Sequence, residues 1–152
     1  MTQSHSDFET AERLGRRRAR MFPILALLFI SQQASYFSGG AALEAERNVD
    51  AVKLSAWVVM SLVLLFALWS NGFWFRRKAV RDLLNDEATR AHRADALSLG
   101  YFCAMLGAIA IYLLSMVEPI HVREALHIVV SLGIAAALLR FGFLERRALR
   151  LE

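Results

Sequence analysis

Charged residues are absent from four stretches of this chain and crowd the segments between them. Three stretches, residues 21–43, 54–75 and 96–117, are 22 or 23 residues long, and the fourth, residues 125–139, has 15 residues. About 20 apolar helical residues cross the hydrocarbon core of a bilayer, and a charge at its centre costs roughly 2.5–3.5 kcal/mol on insertion scales. The pattern therefore predicts an all-α polytopic membrane protein, a bundle of four transmembrane helices.

The connections between the predicted helices are short, so we expect a single transmembrane domain at residues 21–144. An amphipathic cytoplasmic segment, residues 1–20, precedes it, with apolar side chains toward lipid and arginines toward headgroups. A cytoplasmic tail, residues 145–152, follows it. The four spans are expected at about residues 21–43, 54–75, 96–117 and 120–144.

Lysine and arginine residues are distributed unequally between the two sides of the predicted bundle. The segments before the first charge-free stretch, between the second and third, and after the fourth hold 15 of the 18, whereas the other two segments between stretches hold three. Basic residues near the ends of spans stay on the cytoplasmic side. Both termini and the second connection are therefore expected in the cytoplasm, and the protein is expected in a bacterial cytoplasmic (inner) membrane.

The net charge of +4 would suggest nucleic acid as a partner if the chain were soluble. Here the basic residues lie beside the spans, where they determine topology and contact lipid headgroups. No nucleic-acid-binding motif is visible. We therefore expect membrane lipids as partners and no direct contact with nucleic acid.

The second connection, residues 76–95, is patterned like a helical hairpin rather than a linker. Its apolar residues recur at helical spacing, and six basic residues occupy other positions. The two arms can cover each other's apolar stripes, or the hairpin can bind a soluble cytoplasmic partner. Arginine and large apolar side chains dominate interface energies. The predicted partner-binding residues are Arg77, Arg81, Leu84, Arg90 and Arg93.

The first span changes from apolar to polar halfway along its length. Gln32, Gln33, Ser35 and Tyr36 lie in the polar half. These residues can line a pocket for a small molecule or lipid, or they can form hydrogen bonds between helices. A pocket would favour a small carrier or channel subunit as the function of the protein.

Small residues recur in the third and fourth spans. Such residues allow membrane helices to approach closely, either within one bundle or between copies. A bundle of this size buries little surface by itself, so we expect a homodimer or a subunit of a larger membrane assembly. The predicted helix-packing residues are Ala104, Gly107, Ala108, Gly133 and Ala137.

His121, Glu124 and His127 are weak candidates for a metal site near the start of the fourth span. Histidine and carboxylate side chains bind metals, but residues four apart on a helix would chelate better than these, which are three apart. Plain interface polarity and pH sensing are the other interpretations. We expect no metal and no other cofactor. A cofactor-binding electron-transfer protein remains the third functional hypothesis.

Catalytic patterns are absent from the sequence. The cores of the first three spans hold no acidic or basic residue, and Ser61, Ser98, Ser115 and Ser131 have no sequence partners that suggest activation. No phosphate-binding loop occurs. The sequence therefore predicts no enzyme, and it favours a small regulatory or accessory membrane protein whose basic cytoplasmic face binds a soluble regulator or a larger membrane complex.

Overall fold

A computed structural model of the chain describes residues 2–38, 46–70 and 87–151, and within these ranges all regular secondary structure is α-helical. The residues form four α-helices joined by turns or by segments outside the described ranges. The prediction of an all-α protein is confirmed. The helices are α1 (Thr2–Ser38), α2 (Glu46–Ser70), α3 (Glu87–Leu114) and α4 (Val122–Leu151).

Three of the helices are long and apolar enough to cross a membrane. The most apolar 18-residue windows of α2, α3 and α4 have mean hydropathies of 2.0, 2.0 and 1.9. Helices of this length and composition are consistent with the expected integral membrane protein. The first helix, α1, is less apolar, because five arginines precede its apolar part and the polar run 31–33 follows it.

Several helices extend beyond the limits expected for the spans. The first helix joins the expected amphipathic segment and the first span without interruption. The third begins at Glu87, so the last nine residues of the expected hairpin continue directly into the third span. The fourth reaches Leu151 and includes most of the expected tail. Alanine-rich sequence without proline or glycine between residues 87 and 99 supports this continuity.

The fourth helix lies at the centre of the bundle, and α1, α2 and α3 each pack against it. Its contact with α1 is antiparallel, and the ring of Phe22 meets the ring of Phe141 edge-on at 4.8 Å and 73°. The remaining apolar surfaces of α2 and α3 are largely exposed, as expected for helices that face lipid. The buried core consists of Phe22, Ala26, Phe29, Leu64, Leu68, Ala96, Ile134, Ala135, Ala137, Leu138 and Phe141.

Pro23 lies in the interior of α1, and α4 accommodates it. A proline ring clashes with the preceding turn and leaves the carbonyl four residues earlier without its helical donor. That carbonyl belongs to Ala19, which is buried, and Arg146 Nε donates a hydrogen bond to it at 3.0 Å. Gly142, one turn before Arg146, leaves space for the ring. Two residues of α4 thus compensate for a proline in α1.

Small residues bring α3 and α4 into close contact. A β-carbon added to Gly100 would lie 2.7 Å from the carbonyl oxygen of Gly133 and 2.8 Å from the β-carbon of Ala137. Ala104 faces Gly133, and Gly107 faces the side chain of Leu132. Of the predicted packing residues, Ala104, Gly107, Gly133 and Ala137 therefore lie at this contact within one chain, and Ala108 is half-buried on α3.

Candidate functional site

Glu145 on α4 is the centre of a buried ionic cluster, which we define as Arg18, Thr89, His92 and Glu145. Arg18 Nε donates to Glu145 Oε2 at 3.0 Å, and its Nη2 donates to Thr89 Oγ1 at 3.0 Å. The Nδ1 atom of His92 lies 3.2 Å from Glu145 Oε1. The ionic cluster therefore joins α1, α3 and α4 at one end of the bundle.

The Arg18–Glu145 pair is almost fully withdrawn from solvent, with 4% and 6% of the two residues exposed. Withdrawal of two charges from water is costly, and such a pair is tolerated only where each charge has good partners. Glu145 has two, and Arg18 also lies over the ring of Phe141, 5.6 Å from its centre. These contacts fix the relative positions of the helices and leave little access for a substrate.

Our sequence interpretation did not single out Arg18 or Glu145. The local signal is nonetheless present, since Arg18 shares the three-and-four spacing of Phe22, Ala26 and Phe29 on the buried face of α1. Its neighbours Arg16 and Arg17 point outward. Glu145 likewise follows Phe141 by four residues on the buried face of α4. The angular position of each arginine around the helix therefore distinguishes the buried Arg18 from the four exposed arginines of α1.

A second polar group, the His127 cluster, lies toward the other end of α4 and consists of Gln33, Trp57, His127 and Ser131. His127 is only 2% exposed, and its Nε2 atom hydrogen-bonds Gln33 Oε1. The indole ring of Trp57 stacks on the imidazole at 4.3 Å and 21°, while its Nε1 donates to Ser131 Oγ at 3.1 Å. The His127 cluster joins α1, α2 and α4.

The His127 cluster brings together Gln33, a predicted pocket residue, and His127, a weak metal candidate, which were not expected to contact each other. Gln33, a candidate pocket residue, bonds both His127 and the carbonyl of its own helix at Phe29. Gln32 is half-buried, and the side chains of Ser35 and Tyr36 lie outside the described residues. Trp57 packs into the bundle, where its ring stacks on His127.

The weak metal candidates do not converge. His121 and Glu124 are exposed, whereas His127 is buried against Gln33 and Trp57. Across the described ranges, no group of three or more histidine, cysteine, aspartate or glutamate residues is arranged to hold a metal ion. The helical spacing of three residues explains the separation, because it turns successive side chains away from a common point.

The predicted partner-binding residues are only partly described. Arg90 is exposed on the first turn of α3. Arg93 Nη1 donates to the carbonyl oxygen of Trp69 at 2.6 Å, and so connects the start of α3 to the end of α2. Arg77, Arg81 and Leu84 lie outside the described residues.

The end of the bundle that holds the ionic cluster is strongly basic at its surface. Among the described residues, the exposed acidic groups at this end are Glu12, Glu87 and Asp95, and two of them are paired, Glu12 with Arg16 and Asp95 with Arg140. At the opposite end, Lys53 and Arg123 are exposed. The exposed arginines at the basic end are Arg13, Arg16, Arg17, Arg20, Arg90, Arg146, Arg147 and Arg150.

Within each buried cluster the polar atoms bond one another, so the clusters hold helices together. The exposed arginines other than Arg16 and Arg146 remain available for contacts outside the chain. Electrostatic complementarity with an acidic surface is the interaction that such an end supports best. Comparisons of the chain with protein-family models, with curated proteins and with solved structures find no match.

Proposed function

We propose that the protein is a small regulatory or accessory protein of the bacterial cytoplasmic membrane. In this proposal all four helices cross the bilayer, and both termini lie in the cytoplasm. The basic end of the bundle binds an acidic surface on a soluble regulator or on a larger membrane complex. The protein itself carries out no reaction.

The packing of α1 on α4 supports a membrane position for the first helix as well. Antiparallel contacts run from Arg18 with Glu145 to Gln33 with His127. Fifteen residues separate Arg18 from Gln33, which corresponds to about 22 Å along the helix axis. Between them, Met21, Ile24, Leu27, Leu28 and Ile30 are exposed, as lipid-facing residues would be.

The observation that carries the proposed function is the charge contrast at the basic end. Eight exposed arginines and three exposed acidic residues lie there among the described residues, and two of the acidic residues are already paired. A surface of one sign attracts partners of the opposite sign and accelerates their encounter. The same end corresponds to the side with the excess of lysine and arginine in the sequence, which supports a cytoplasmic position.

The second connection is the part of this surface that we expect to contact the partner. Arg90 is exposed where the described part of α3 begins, and Arg93 ties that helix start to α2. Arg77, Arg81 and Leu84 would extend the same contact surface. Because Arg93 has a structural contact, Arg90 is the better residue for substitution.

The experiment is affinity purification of the full-length protein in mild detergent, followed by quantitative mass spectrometry of what co-purifies. The triple variant R77E R81E R90E should lose its specific partner while the protein remains inserted and helical. The matched control R47E K53E R123E makes the same charge change on the opposite connections and should retain the partner.

Two results would refute the proposed function. Retention of every co-purifying protein by R77E R81E R90E would show that the second connection does not dock a partner. Equal losses in both triple variants would show that the partner responds to total charge and not to this face.

A further inference from the structure

Three arginines on α1 have no ion-pair partner in the described part of the chain: Arg13, Arg17 and Arg20. Their neighbours differ, because Arg16 pairs with Glu12 at 2.6 Å and Arg18 belongs to the ionic cluster. At about 100° per residue the three lie within an arc of roughly 60° on the helix surface. They therefore form one basic stripe that faces away from α4.

A groove of about 490 Å³ runs along this stripe. Its lining consists of Thr10, Leu14, the three stripe arginines and the paired Arg16. Leu14 is buried, so the lining combines a buried apolar side chain with four exposed arginines. From Arg13 to Arg20 the stripe extends about 10 Å along the helix axis.

The same helix face continues beyond Arg20 as an apolar stripe. Ile24 lies within the arc of the arginines, Leu27 and Leu28 lie about 20° beyond its two edges, and the three residues are 52%, 62% and 60% exposed. From Arg20 to Leu28 this stripe adds about 12 Å. One face of α1 is therefore cationic over its first part and apolar over its second.

We infer that this face is a binding site for an anionic phospholipid. The guanidinium groups of Arg13, Arg17 and Arg20 bind the headgroup phosphate, since arginine matches phosphate oxygens with paired donors. An acyl chain lies along Ile24, Leu27 and Leu28. The inference rests on the proposed function for the position of α1 in the membrane, and it assigns to lipid three of the eight exposed arginines of the basic end.

The continuity of the two stripes favours lipid over a soluble acidic protein. A soluble partner would need the arginines but would gain nothing from an apolar stripe that descends beside the buried residues Phe22, Ala26 and Phe29. A phospholipid has the same order of groups, with a charged headgroup above apolar chains. Each arginine close to the membrane surface also raises the affinity of a protein for anionic lipid roughly fivefold.

The test uses the full-length protein in nanodiscs made from phosphatidylcholine with a minor share of phosphatidylglycerol. Native mass spectrometry of the protein ejected from the discs reports which lipid it retains. Wild-type protein should retain phosphatidylglycerol well above its share in the discs. The variant R13Q R17Q R20Q should lower this enrichment about tenfold or more.

The matched control is R90Q R147Q R150Q, which removes three exposed arginines from the same end of the bundle but from other helices. It should keep the enrichment within about twofold of wild type, because it leaves the stripe on α1 intact. Inorganic phosphate added in excess should not displace the lipid, since it has no acyl chain to contact Ile24 and Leu27.

Three results would overturn the inference: no enrichment in wild type, an equal loss in both triple variants, or displacement by inorganic phosphate, which would indicate a site for a free anion. If R13Q R17Q R20Q fails to insert, wild-type protein is crosslinked with phosphatidylglycerol that carries a photoreactive headgroup. Crosslinks within residues 13–20 support the site, and crosslinks confined to the other helices refute it.

Neither experiment involves a soluble partner. Failure of the docking proposal and failure of this lipid site can therefore be distinguished.

Discussion

The ring of Pro23 occupies the space that a side chain at residue 142 would fill. A β-carbon added to Gly142 would lie 2.4 Å from Pro23 Cγ and 2.5 Å from Pro23 Cδ. These distances are far inside van der Waals contact, and a proline ring cannot rotate away as a flexible side chain can. The closeness of α1 and α4 at this level therefore depends on a glycine opposite a proline.

Replacement of Gly142 by alanine should destabilise the bundle. We expect a loss of about 1–3 kcal/mol, because the added methyl group forces the two helices apart. Thermal unfolding in mild detergent, followed by circular dichroism, measures the change. The control is Gly15→Ala, where an added β-carbon meets nothing within 4 Å. That substitution should be neutral or should stabilise the protein by up to roughly 1 kcal/mol. Equal unfolding temperatures of the two variants would contradict the steric explanation.

Arg146→Ala should also destabilise the protein, for a different reason. It removes the donor to the buried carbonyl of Ala19 and leaves that group unsatisfied, at a cost of about 1–3 kcal/mol. Arg147→Ala, an exposed neighbour, should change stability by less than about 0.5 kcal/mol. In the variant Pro23→Ala, the carbonyl regains a helical donor, so Arg146→Ala should then have a smaller effect. If Arg146→Ala destabilised the Pro23→Ala variant as much as the wild type, Arg146 would not compensate for the proline.

Two glycines of α3 should respond differently to the same substitution. Gly100→Ala places a β-carbon against the backbone of Gly133, which cannot move alone, so we expect a loss of about 1–3 kcal/mol. At Gly107 the added β-carbon would meet only Leu132 Cδ2, at 2.8 Å, and that side chain can adopt another rotamer. Gly107→Ala should therefore unfold close to wild type in the same detergent assay. If Gly107→Ala were less stable than Gly100→Ala, the close contact at Gly100 would not be the critical one between α3 and α4.

Loss of one partner from the Arg18–Glu145 pair should be among the most damaging single changes. Arg18→Gln or Glu145→Gln leaves an unpaired buried charge, which costs about 3–5 kcal/mol. The double variant should be less destabilised than the sum of the single variants, and a double-mutant cycle measures this coupling. Arg140→Gln, which breaks the exposed pair with Asp95, should cost less than about 1 kcal/mol. Additive effects at Arg18 and Glu145 would mean that the pair is not coupled.

The orientation of the bundle is a separate prediction. Reporter fusions after Val49 and after Pro119 should report the outside of the cytoplasmic membrane, because 15 of the 18 basic residues lie on the other side of the spans. A fusion at the carboxyl terminus serves as the cytoplasmic control. If either of these two fusions reported the cytoplasm, the predicted orientation would be wrong. The basic end would then not face a soluble cytoplasmic partner.

The helical class and three membrane-length helices could be predicted because charge-free length alone indicates them. The stretches 54–75, 96–117 and 125–139 overlap α2, α3 and α4. The central position of α4 could not be predicted in this way, since hydrophobicity does not say which apolar helix contacts the other three. It follows from specific contacts, such as Gly100 with Gly133.

The buried polar pairs were harder to predict than the helices. Arg18 and Glu145 are separated by 127 residues, and only the antiparallel packing of α1 on α4 brings them together. For His127, neighbours in sequence suggested a metal, whereas its partners in space are Gln33 and Trp57, from two other helices. Single-helix spacing indicates which side chains face inward, but not what they meet there.

The central position of α4 has a consequence for biogenesis. It is the last of the four helices to leave the ribosome, yet every extensive contact between helices in the described residues involves it. Before α4 joins them, the described parts of α1, α2 and α3 have only slight contacts with one another, and Arg18 lacks Glu145. The described helices therefore pack into one bundle only once α4 is present, and a chain that stops at Pro119 would hold α1, α2 and α3 without their common neighbour.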